Sequence, residues 1–448
     1  MEEWFSILLH DRFGINFKIT QDNNIRKIFI EGSSQCIRFN NLEPKFYIYG
    51  FNDNLKLFYW TADSENFNGI ISNILPMPSS KEIGKLLSFD NNNNLNVSYD
   101  ILGLCYWVLN RLEEVGENLT LDDYNRYDSR FSHACIHNYH DRPIVDEWLD
   151  ILGQIILKTW PNLELKKNIY SLNLSHDVDR PSRFSFKRGL NLPKYLIGYL
   201  VKRRFKDFIG LTNEIFRLNS DDISIDDPFN TFEWLMNLSE SKNIKSKFYF
   251  IAGGNHKYDA EYKITDSKIQ KLIYKIYSRG HEIGLHPSYN CYKDPYAIGN
   301  ELTALKSVLN NLNINQTSFG CRMHFLRWSH PETLINLESN GLIYDTTLGY
   351  PRNIGFRCGT CIDYRPIDPR TGVTLNLNIR PLHIMDCALV EDGPLDRASY
   401  ESLISKASIL ISYCRKIGGS FNLLWHNSHL THNDTQQIFE EILNISTN

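Results

Sequence analysis

Short runs of alternating apolar and polar residues fill the first part of the chain, and this alternation predicts half-buried β-strands. The runs read INFKIT, KIFIEG and KFYIYGF and cover residues 15–20, 27–32 and 45–51. Apolar residues then recur at helical spacing over 101–112, and a second helical pattern covers 144–160. The first part of the chain is therefore predicted to combine strands and helices.

The pattern changes after residue 165 to a regular alternation of strands and helices. The composition turns polar at 161–165, so we place a boundary there between an α+β domain at 1–165 and a second domain at 166–448. Seven predicted strands follow, with helices between most of them: IYSLNLS, SKFYFIAGG, HEIGLH, SFGCRMHF, GLIYDTT, RPLHIMD and SFNLLWH. This order is typical of a parallel α/β barrel or a doubly wound sheet.

Polar side chains gather at the carboxyl ends of these predicted strands. They are Asp177, Asp179, His286, Arg322, His324, Asp386 and His426. In a β/α barrel the carboxyl ends of all strands form one face, and active sites lie on that face. Five strands that each deliver a titratable group to one rim predict an enzyme.

Aspartate and histidine together suit a divalent transition metal such as zinc. A metal with an open coordination position activates water or polarises a carbonyl group. A nearby carboxylate then takes a proton, and a histidine across the site protonates the leaving group. Asp177 and Asp179 would divide this work, one moving protons and the other binding the metal.

Each of these residues also has a structural interpretation. Aspartate and proline favour turns, so DVDRP at 177–181 can be a simple turn. His281 and His286 can be satisfied core residues of one strand, and Arg322 can be a salt-bridge partner. His426 follows an apolar run, where a hydrogen-bonded structural histidine is equally common. The shared position at strand ends is what favours a site.

Composition narrows the class of protein. The 448 residues are 22% charged with a formal net charge of −4, which argues against a nucleic-acid binder. MEEWFSILLHDRF begins with acids where a signal peptide has basic residues, and no run of about eighteen apolar residues predicts a transmembrane helix. Nine cysteines in irregular positions favour free thiols in a reducing compartment, so we expect a cytoplasmic protein. Cys358 and Cys361 have CxxC spacing without a second pair, and we interpret them as ordinary cysteines.

In their order along 168–430, the motifs resemble those of the polysaccharide deacetylases of the NodB-homology type (carbohydrate esterase family 4), in the branch with an extra N-terminal domain. SHDVD stands at the family's aspartate pair, which implies that Asp177 is the general base and Asp179 a metal ligand. GHEIGLHPS is similar to the second motif, in which two histidines bind metal. His286 matches the first of them, but Asn290 stands at the second, and an amide oxygen is a weaker zinc ligand than imidazole. The resemblance therefore implies a metal held by Asp179 and His286 with Asn290, with the alternatives of another group in place of Asn290 or of a loosely held metal.

CRMHFLRW resembles the third motif. The resemblance implies that Arg322 orients the catalytic aspartate and that the aromatic and apolar residues, Trp328 among them, wall the substrate pocket. The proline and tyrosine of the family are replaced here by His324 and Phe325.

The remaining motifs complete the implied site. Asp386 in IMDCAL takes the place of the fourth motif and is expected to pair with Arg322. LLWHN resembles the fifth motif, which implies that His426 is the general acid and that Leu424 lines the acetyl pocket. Arg357 in GFRCGT is expected to contact the substrate.

The fold that the resemblance implies is a distorted (β/α) barrel of the NodB-homology type, preceded by a smaller α+β domain. The implied function is removal of an N-acetyl group from an amino sugar or polysaccharide intermediate with a divalent metal, zinc above all, in bacterial surface-polysaccharide synthesis. Two alternatives stay open. The substitution at Asn290 motivates a glycan-binding protein without metal, and related barrels motivate a hydrolase of another small amide or imide.

Residues 186–211, FKRGLNLPKYLIGYLVKRRFKDFIGL, form a basic and amphipathic segment directly after the first motif. Such a segment can rest on an anionic membrane surface and bring the site near a lipid-linked glycan. The alternative is a solvated helix or lid, balanced by the acidic DDISIDD at 221–227.

Overall fold

The structure is a computed structural model that describes residues 1–50, 55–90, 94–117, 119–187, 192–216, 221–389 and 397–447. The described elements before residue 165 are α1 (Glu2–Phe13), β1 (Lys18–Asp22), β2 (Ile25–Phe29), β3 (Cys36–Phe39), β4 (Lys56–Thr61), β5 (Ile74–Ser79), β6 (Leu87–Phe89), β7 (Leu95–Val97), α2 (Ile101–Leu109), α3 (His133–Ile136) and α4 (Ile144–Thr159). Strands β1, β2, β3, β7 and β6 form one sheet in that order, and β4 pairs with β5 as a hairpin.

Two helices of this N-terminal part, α2 and α4, form where the spacing of apolar residues predicts them, whereas α1 and α3 were not predicted. Asp100 caps α2 by accepting a hydrogen bond from the Gly103 amide at 2.9 Å. Trp148 and Leu152 lie one helical turn apart on α4 and are fully buried. The strand predicted at 45–51 is wrong, because Pro44 opens a short 3₁₀ helix over Pro44–Tyr47; residue 51 lies outside the described residues.

The second part of the chain forms a curled half-barrel. Its strands are β8 (Ser171–Val178), β9 (Lys247–Phe250), β10 (Glu282–Leu285), β11 (Gly320–Cys321), β12 (Tyr344–Asp345), β13 (Asn378–Ile379), β14 (Ile384–Met385) and β15 (Ser420–Leu424). They lie in the order β13-β12-β11-β10-β9-β8-β15-β14, and every neighbouring pair is parallel. This topology confirms the distorted (β/α) barrel, preceded by an α+β region.

Helices connect most of these strands. They are α5 (Leu192–Val201), α6 (Phe205–Phe216), α7 (Phe232–Ser241), α8 (Ser267–Ser278), α9 (Pro295–Asn311), α10 (Glu332–Ser339), α11 (Asp386–Leu389), α12 (Arg397–Ile417) and α13 (Asn433–Thr447). No helix among the described residues is long and apolar enough to cross a membrane.

Strand register brings the candidate residues to one rim. Val178 lies opposite Phe250 on the neighbouring strand, and Phe250 lies opposite Leu285. Leu285 in turn lies opposite Cys321. Because these strand ends are level, the residues that follow them emerge side by side at the carboxyl edge of the sheet.

The last strands are shorter than their sequence patterns predict. SFGCRMHF forms only the two residues of β11, so that His324 lies in a turn beyond the strand. The two-residue β13 lies in a segment for which we predicted no strand, and it closes the sheet next to β12. Strands of two residues are too short to show the alternation of apolar and polar residues by which strands are recognised in a sequence.

The segment after β12 packs against the N-terminal part. Arg357 forms a bidentate ion pair with Glu114, and both side chains are buried. Gly359 has φ +62°, and a β-carbon there would lie 2.7 Å from Val108. One continuous hydrophobic core therefore spans both parts of the chain.

Candidate active site

Three ligand-type side chains converge at the rim. Asp179 follows β8, His286 follows β10, and His324 follows β11, and one ligand atom of each lies within 4.8 Å of the others. Nε2 of His286 is 3.2 Å from Oδ1 of Asp179, and Nε2 of His324 is 3.6 Å from its Oδ2. This set of one carboxylate and two imidazoles is a donor set that zinc and similar divalent ions prefer.

Both imidazoles are held so that Nε2 points at Asp179. Nδ1 of His286 donates to the backbone carbonyl of Arg322 at 2.5 Å. Nδ1 of His324 faces Oδ1 of Asp259 at 3.4 Å. Metal-binding histidines are oriented in this way, through a carbonyl or carboxylate on the far ring nitrogen.

The electrostatics of this group fit a bound cation. Burial alone would raise the pKa of Asp179, but the imidazoles of His324 and His286 lower it well below its ordinary value. Against the effect of burial, Asp179 and Asp259 raise the pKa of His324 to about 9. Oδ1 of Asp179 is buried and has no hydrogen-bond partner among the described residues. A divalent ion would satisfy that oxygen and replace the proton on His324, so these residues fit a metal.

Asp177 lies beside this group, with one oxygen fixed and one directed at the site. Arg322 donates to Oδ1 of Asp177 at 2.8 Å and to the Ser175 hydroxyl at 2.9 Å. Oδ2 of Asp177 is 3.7 Å from Nε2 of His286 and 4.0 Å from Nε2 of His426. All of these side chains are buried, so the carboxylate is held in one orientation.

His426 faces the same group from β15. Its Nδ1 donates to Oδ1 of Asp386 at 2.8 Å, which leaves Nε2 free at 3.6 Å from Oδ2 of Asp179. Burial would lower the pKa of His426, but the Asp386 carboxylate raises it well above its ordinary value. The ring is therefore protonated at neutral pH and can donate a proton from Nε2.

The turn after β11 supplies three different walls of the site. Phe325 and Leu326 have φ of +60° and +52°, the left-handed region that is unfavourable for large side chains. Arg126 of the N-terminal part holds this turn by donating to the Phe325 carbonyl at 2.7 Å. As a result, three consecutive side chains face three different surroundings. His324 faces the metal-ligand group, Phe325 faces an aromatic surface, and Leu326 faces an apolar cluster; the last two are described below.

Phe325 is the centre of that aromatic surface. Tyr124 lies 5.0 Å and Tyr258 4.9 Å from it between ring centroids. Tyr258 is 36% exposed, and the ring of Phe325 lies 4.8 Å from that of His324. The N-terminal part thus contributes Tyr124 to an aromatic surface whose central ring, Phe325, lies next to the candidate ligand His324.

Leu424 lies in the apolar cluster at the same rim. The cluster consists of Leu326, Leu382, Met385 and Leu424, is buried, and is separate from the main core. It lies next to the strand ends that carry Asp386 and His426.

Three predicted site residues bind partners outside this group. Asn290 is exposed, and its Oδ1 accepts a hydrogen bond from Arg327 at 3.3 Å. Trp328 is buried and donates its indole N–H to His330. Arg357 is bound to Glu114, which leaves its guanidinium turned to the N-terminal part.

One predicted pairing is different from what the structure contains. We expected Asp386 to pair with Arg322, but Asp386 binds His426 and Arg322 binds Asp177. The carboxylates of Asp177 and Asp386 therefore lie on opposite sides of the site, each with its own partner. His281, just before β10, accepts a hydrogen bond from the Ser246 amide, as a structural histidine does.

Asp259 and Tyr124 are the residues of the site that sequence reasoning missed. Both lie in irregular segments outside any strand end. Asp259 accepts hydrogen bonds from the Tyr289 and His256 amides at 2.7 and 2.8 Å, so its position is fixed by loop backbone. The sequence offered one indication of Asp259, namely an acidic residue among aromatic residues in the loop after β9.

Comparison with known proteins gives a family-model match to the N-terminal part and similar solved structures for 62–64% of the chain. Residues 2–161 match a family of unknown function (DUF7033). The curated proteins contain no match. A protein from Mycobacterium smegmatis assigned to the polysaccharide deacetylases is 15% identical, with 62% of this chain and 84% of that chain covered and a TM-score of 0.40.

Two further solved structures match a similar share of the chain. An allantoinase is 12% identical, with 64% of this chain and 85% of that chain covered and a TM-score of 0.38. The polysaccharide deacetylase Bc1974 from Bacillus cereus is 11% identical, with 62% and 86% covered and a TM-score of 0.30. Polysaccharide deacetylases, the family that the motifs resemble, thus recur among these structures.

Proposed function

We propose that this protein is a metal-dependent hydrolase that removes an N-acetyl group from an amino sugar or a polysaccharide intermediate. The observation that carries the proposal is the placement of two ion-paired groups, one carboxylate and one imidazole, on either side of the ligand group. Asp177 is fixed by Arg322 on one side, and His426 is fixed by Asp386 on the other. A general base and a general acid that flank one cation site are what amide hydrolysis needs.

Asp179, His286 and His324 would hold the metal, which when bound polarises the amide carbonyl and acidifies water. His324 takes the ligand position that we expected for Asn290, because its Nε2 faces Asp179 whereas the Asn290 amide is bound to Arg327. Zinc suits this donor set.

The chain's own groups perform the proton transfers. Asp177 takes a proton at Oδ2 from the attacking water, while Arg322 keeps Oδ1 in place. His426 gives its Nε2 proton to the departing amine, since Asp386 keeps the ring protonated. Acetate and a free amino sugar are the products.

The walls of the site support an acetylated sugar as substrate. The apolar cluster around Leu424 is suited to an acetyl methyl group. The aromatic surface of Tyr124, Tyr258 and Phe325 offers flat apolar faces, on which the C–H face of a sugar ring packs. Substitution of Tyr124 by Ala should raise KM and leave kcat within about twofold, since the lost contact is equal in ground and transition states.

Acetate release from N-acetylglucosamine oligosaccharides tests the proposal. Metal-loaded protein should release acetate, and chelated protein and Asp179→Ala should not. Release of acid from cyclic amides in place of acetate from sugars would assign the chemistry to another substrate. Binding of the oligosaccharides without release and without bound metal would refute hydrolysis and favour a glycan-binding protein.

The segment 186–211 presents an exposed apolar surface, which we propose contacts an anionic membrane. On α5 and α6, Ile197, Leu200, Val201, Phe205 and Ile209 are each at least 44% exposed. The basic residues 202–204 join the two helices; residues 188–191 lie outside the described part. Apolar side chains beside a basic cluster are the combination that binds anionic lipid.

Vesicle flotation tests this contact. Neutralising Lys202, Arg203 and Arg204 should weaken binding to anionic vesicles on the order of 100-fold, since each basic residue contributes about 1 kcal/mol. Tyr296→Ser is the matched control, because Tyr296 is an exposed aromatic residue on α9. Absence of binding by the intact protein would remove the proposal.

A further inference from the structure

A second group of ligand-type side chains lies behind the proposed general acid. Asp386, Cys387, His426 and His429 each offer a ligand atom, and these atoms lie within 4.8 Å of one another. Nδ1 of His429 is 3.0 Å from Oδ2 of Asp386 and 3.8 Å from Sγ of Cys387. The group shares no residue with the three candidate ligands Asp179, His286 and His324, although its member His426 faces Asp179, and it contains a sulfur that those three lack.

Two separations in this group, from Nδ1 of His429 to Cys387 and to Asp386, are close to edges of a zinc coordination tetrahedron. Zinc–sulfur and zinc–nitrogen bonds of about 2.3 and 2.0 Å place sulfur and nitrogen ligands about 3.5 Å apart, and nitrogen and oxygen about 3.3 Å apart. The observed separations of 3.8 and 3.0 Å lie within half an ångström of these values. A cation could therefore enter with small side-chain movements.

The group is also accessible from solvent. Cys387 is the exposed member among the nine free cysteines, all of which lie in described parts of the chain. The His429 side chain is 45% exposed, whereas Asp386 is buried at the base of the group. Two exposed soft donors above a buried carboxylate form an open site of the kind that captures zinc from solution.

We propose that Asp386, Cys387 and His429 form a second, inhibitory zinc site. His426 or water would complete the coordination. The shared residue Asp386 links this site to catalysis, because its other oxygen holds His426. A cation on Oδ2 would draw the Asp386 carboxylate away from Nδ1 of His426, which it now holds at 2.8 Å. The ring would then leave the position in which its Nε2 faces the first ligand group and could no longer reach the leaving amine. Binding does not depend on the proposed function, whereas the inhibition rests on it.

Cobalt titration of the full-length protein tests the binding. Co²⁺ replaces Zn²⁺ and gives a near-ultraviolet thiolate-to-cobalt charge-transfer band only when a cysteine ligates it. The protein, with its first equivalent of metal already bound, should develop this band on further addition of Co²⁺. Cys387→Ser should abolish the band, and His429→Ala should weaken the affinity at least tenfold.

Cys135→Ser is the matched control, since Cys135 is a partly exposed cysteine outside the group and this variant should keep the band. A wild-type protein without the band, or a band that survives in Cys387→Ser, would overturn the proposal. These results do not depend on any enzymatic activity, so failure of the deacetylase proposal leaves this test intact.

Acetate release under excess zinc tests the inhibition. The wild-type enzyme should lose most of its activity as zinc rises above one equivalent. Cys387→Ser should keep the basal rate and resist zinc at the same concentrations. Equal inhibition of both proteins would refute the inhibitory role, whereas a resistant variant supports it.

Discussion

His324 distinguishes the ligand set in the structure from the set that the motifs imply. We compare His324→Ala with Asn290→Ala, two substitutions that each remove one polar side chain from a loop at the same rim. Nε2 of His324 lies 3.6 Å from Asp179, whereas the Asn290 amide is exposed and bound to Arg327. His324→Ala should therefore lose the metal, and Asn290→Ala should keep it.

The expected loss of metal affinity is large. Removing a residue that only orients a ligand costs about 10- to 100-fold in metal affinity. Loss of the ligand itself should cost at least about 100-fold, which is about 2.7 kcal/mol at about 1.4 kcal/mol per tenfold change. Asn290→Ala should change the affinity by no more than about twofold, because surface substitutions stay within about 0.5 kcal/mol.

His324 also stabilises the metal-free protein in a pH-dependent way. Its side chain is 2% exposed, and its pKa rises from 6.5 to about 9 on folding. A rise of about 2.5 pH units corresponds to about 3 kcal/mol of folding free energy at about 1.36 kcal/mol per unit. Because the folded pKa is raised, this contribution is fully present below pH 6.5 and is lost as pH rises through about 9. Metal-free His324→Ala should lack this pH dependence.

Competition with a chromophoric chelator measures the affinities, and urea denaturation of the metal-free proteins measures the free energy of unfolding at pH 6 and pH 9.5. Circular dichroism of each variant controls for folding. The ligand assignment is refuted if Asn290→Ala loses the metal while His324→Ala binds it like the wild type. Equal stability of wild type and His324→Ala at pH 6 would refute the electrostatic argument.

Two further substitutions test the acid side and the contact between the two parts of the chain. Asp386→Asn removes the charge that raises the pKa of His426, so the high-pH limb of the kcat/KM profile should move to lower pH, and an unchanged limb would contradict the acid role. Glu114→Gln leaves Arg357 buried without its carboxylate and should cost about 3–5 kcal/mol in urea denaturation. The exposed pair of Arg397 and Glu401 is the control, and Glu401→Gln should cost less than about 1 kcal/mol.

Residues directly after strands were predictable because strand periodicity fixes where they emerge. An apolar run followed by a polar residue indicates both a buried strand and the position where that strand ends. Asp179 after β8 and His286 after β10 are examples. Parallel strands bring such ends together whatever the sequence between them. The barrel and the residue types at its rim could therefore be predicted.

Contacts made by loops could not be predicted in this way. Trp328 belongs to the same motif as His324, but the chain turns at Phe325 between them, and the Trp328 side chain is buried in the core. Arg357 has no sequence neighbour that indicates Glu114, which lies 243 residues earlier in the chain. The number of residues between two loops does not indicate how far apart the loops lie in the folded protein.

The sequence by itself determined the α/β class, the order of most strands, and the aspartates and histidines that meet at their ends, because these follow from local periodicity. The tertiary structure decided which imidazole completes the candidate ligand group, which charged partner holds Asp177 and which holds His426, and which residues the N-terminal part adds. His324 faces Asp179 because two residues after it adopt left-handed backbone and Arg126 fixes their turn. Asp386 reaches His426 because β14 and β15 are neighbours in the sheet. Such pairings depend on packing between distant segments, which the order of residues along a single chain does not specify.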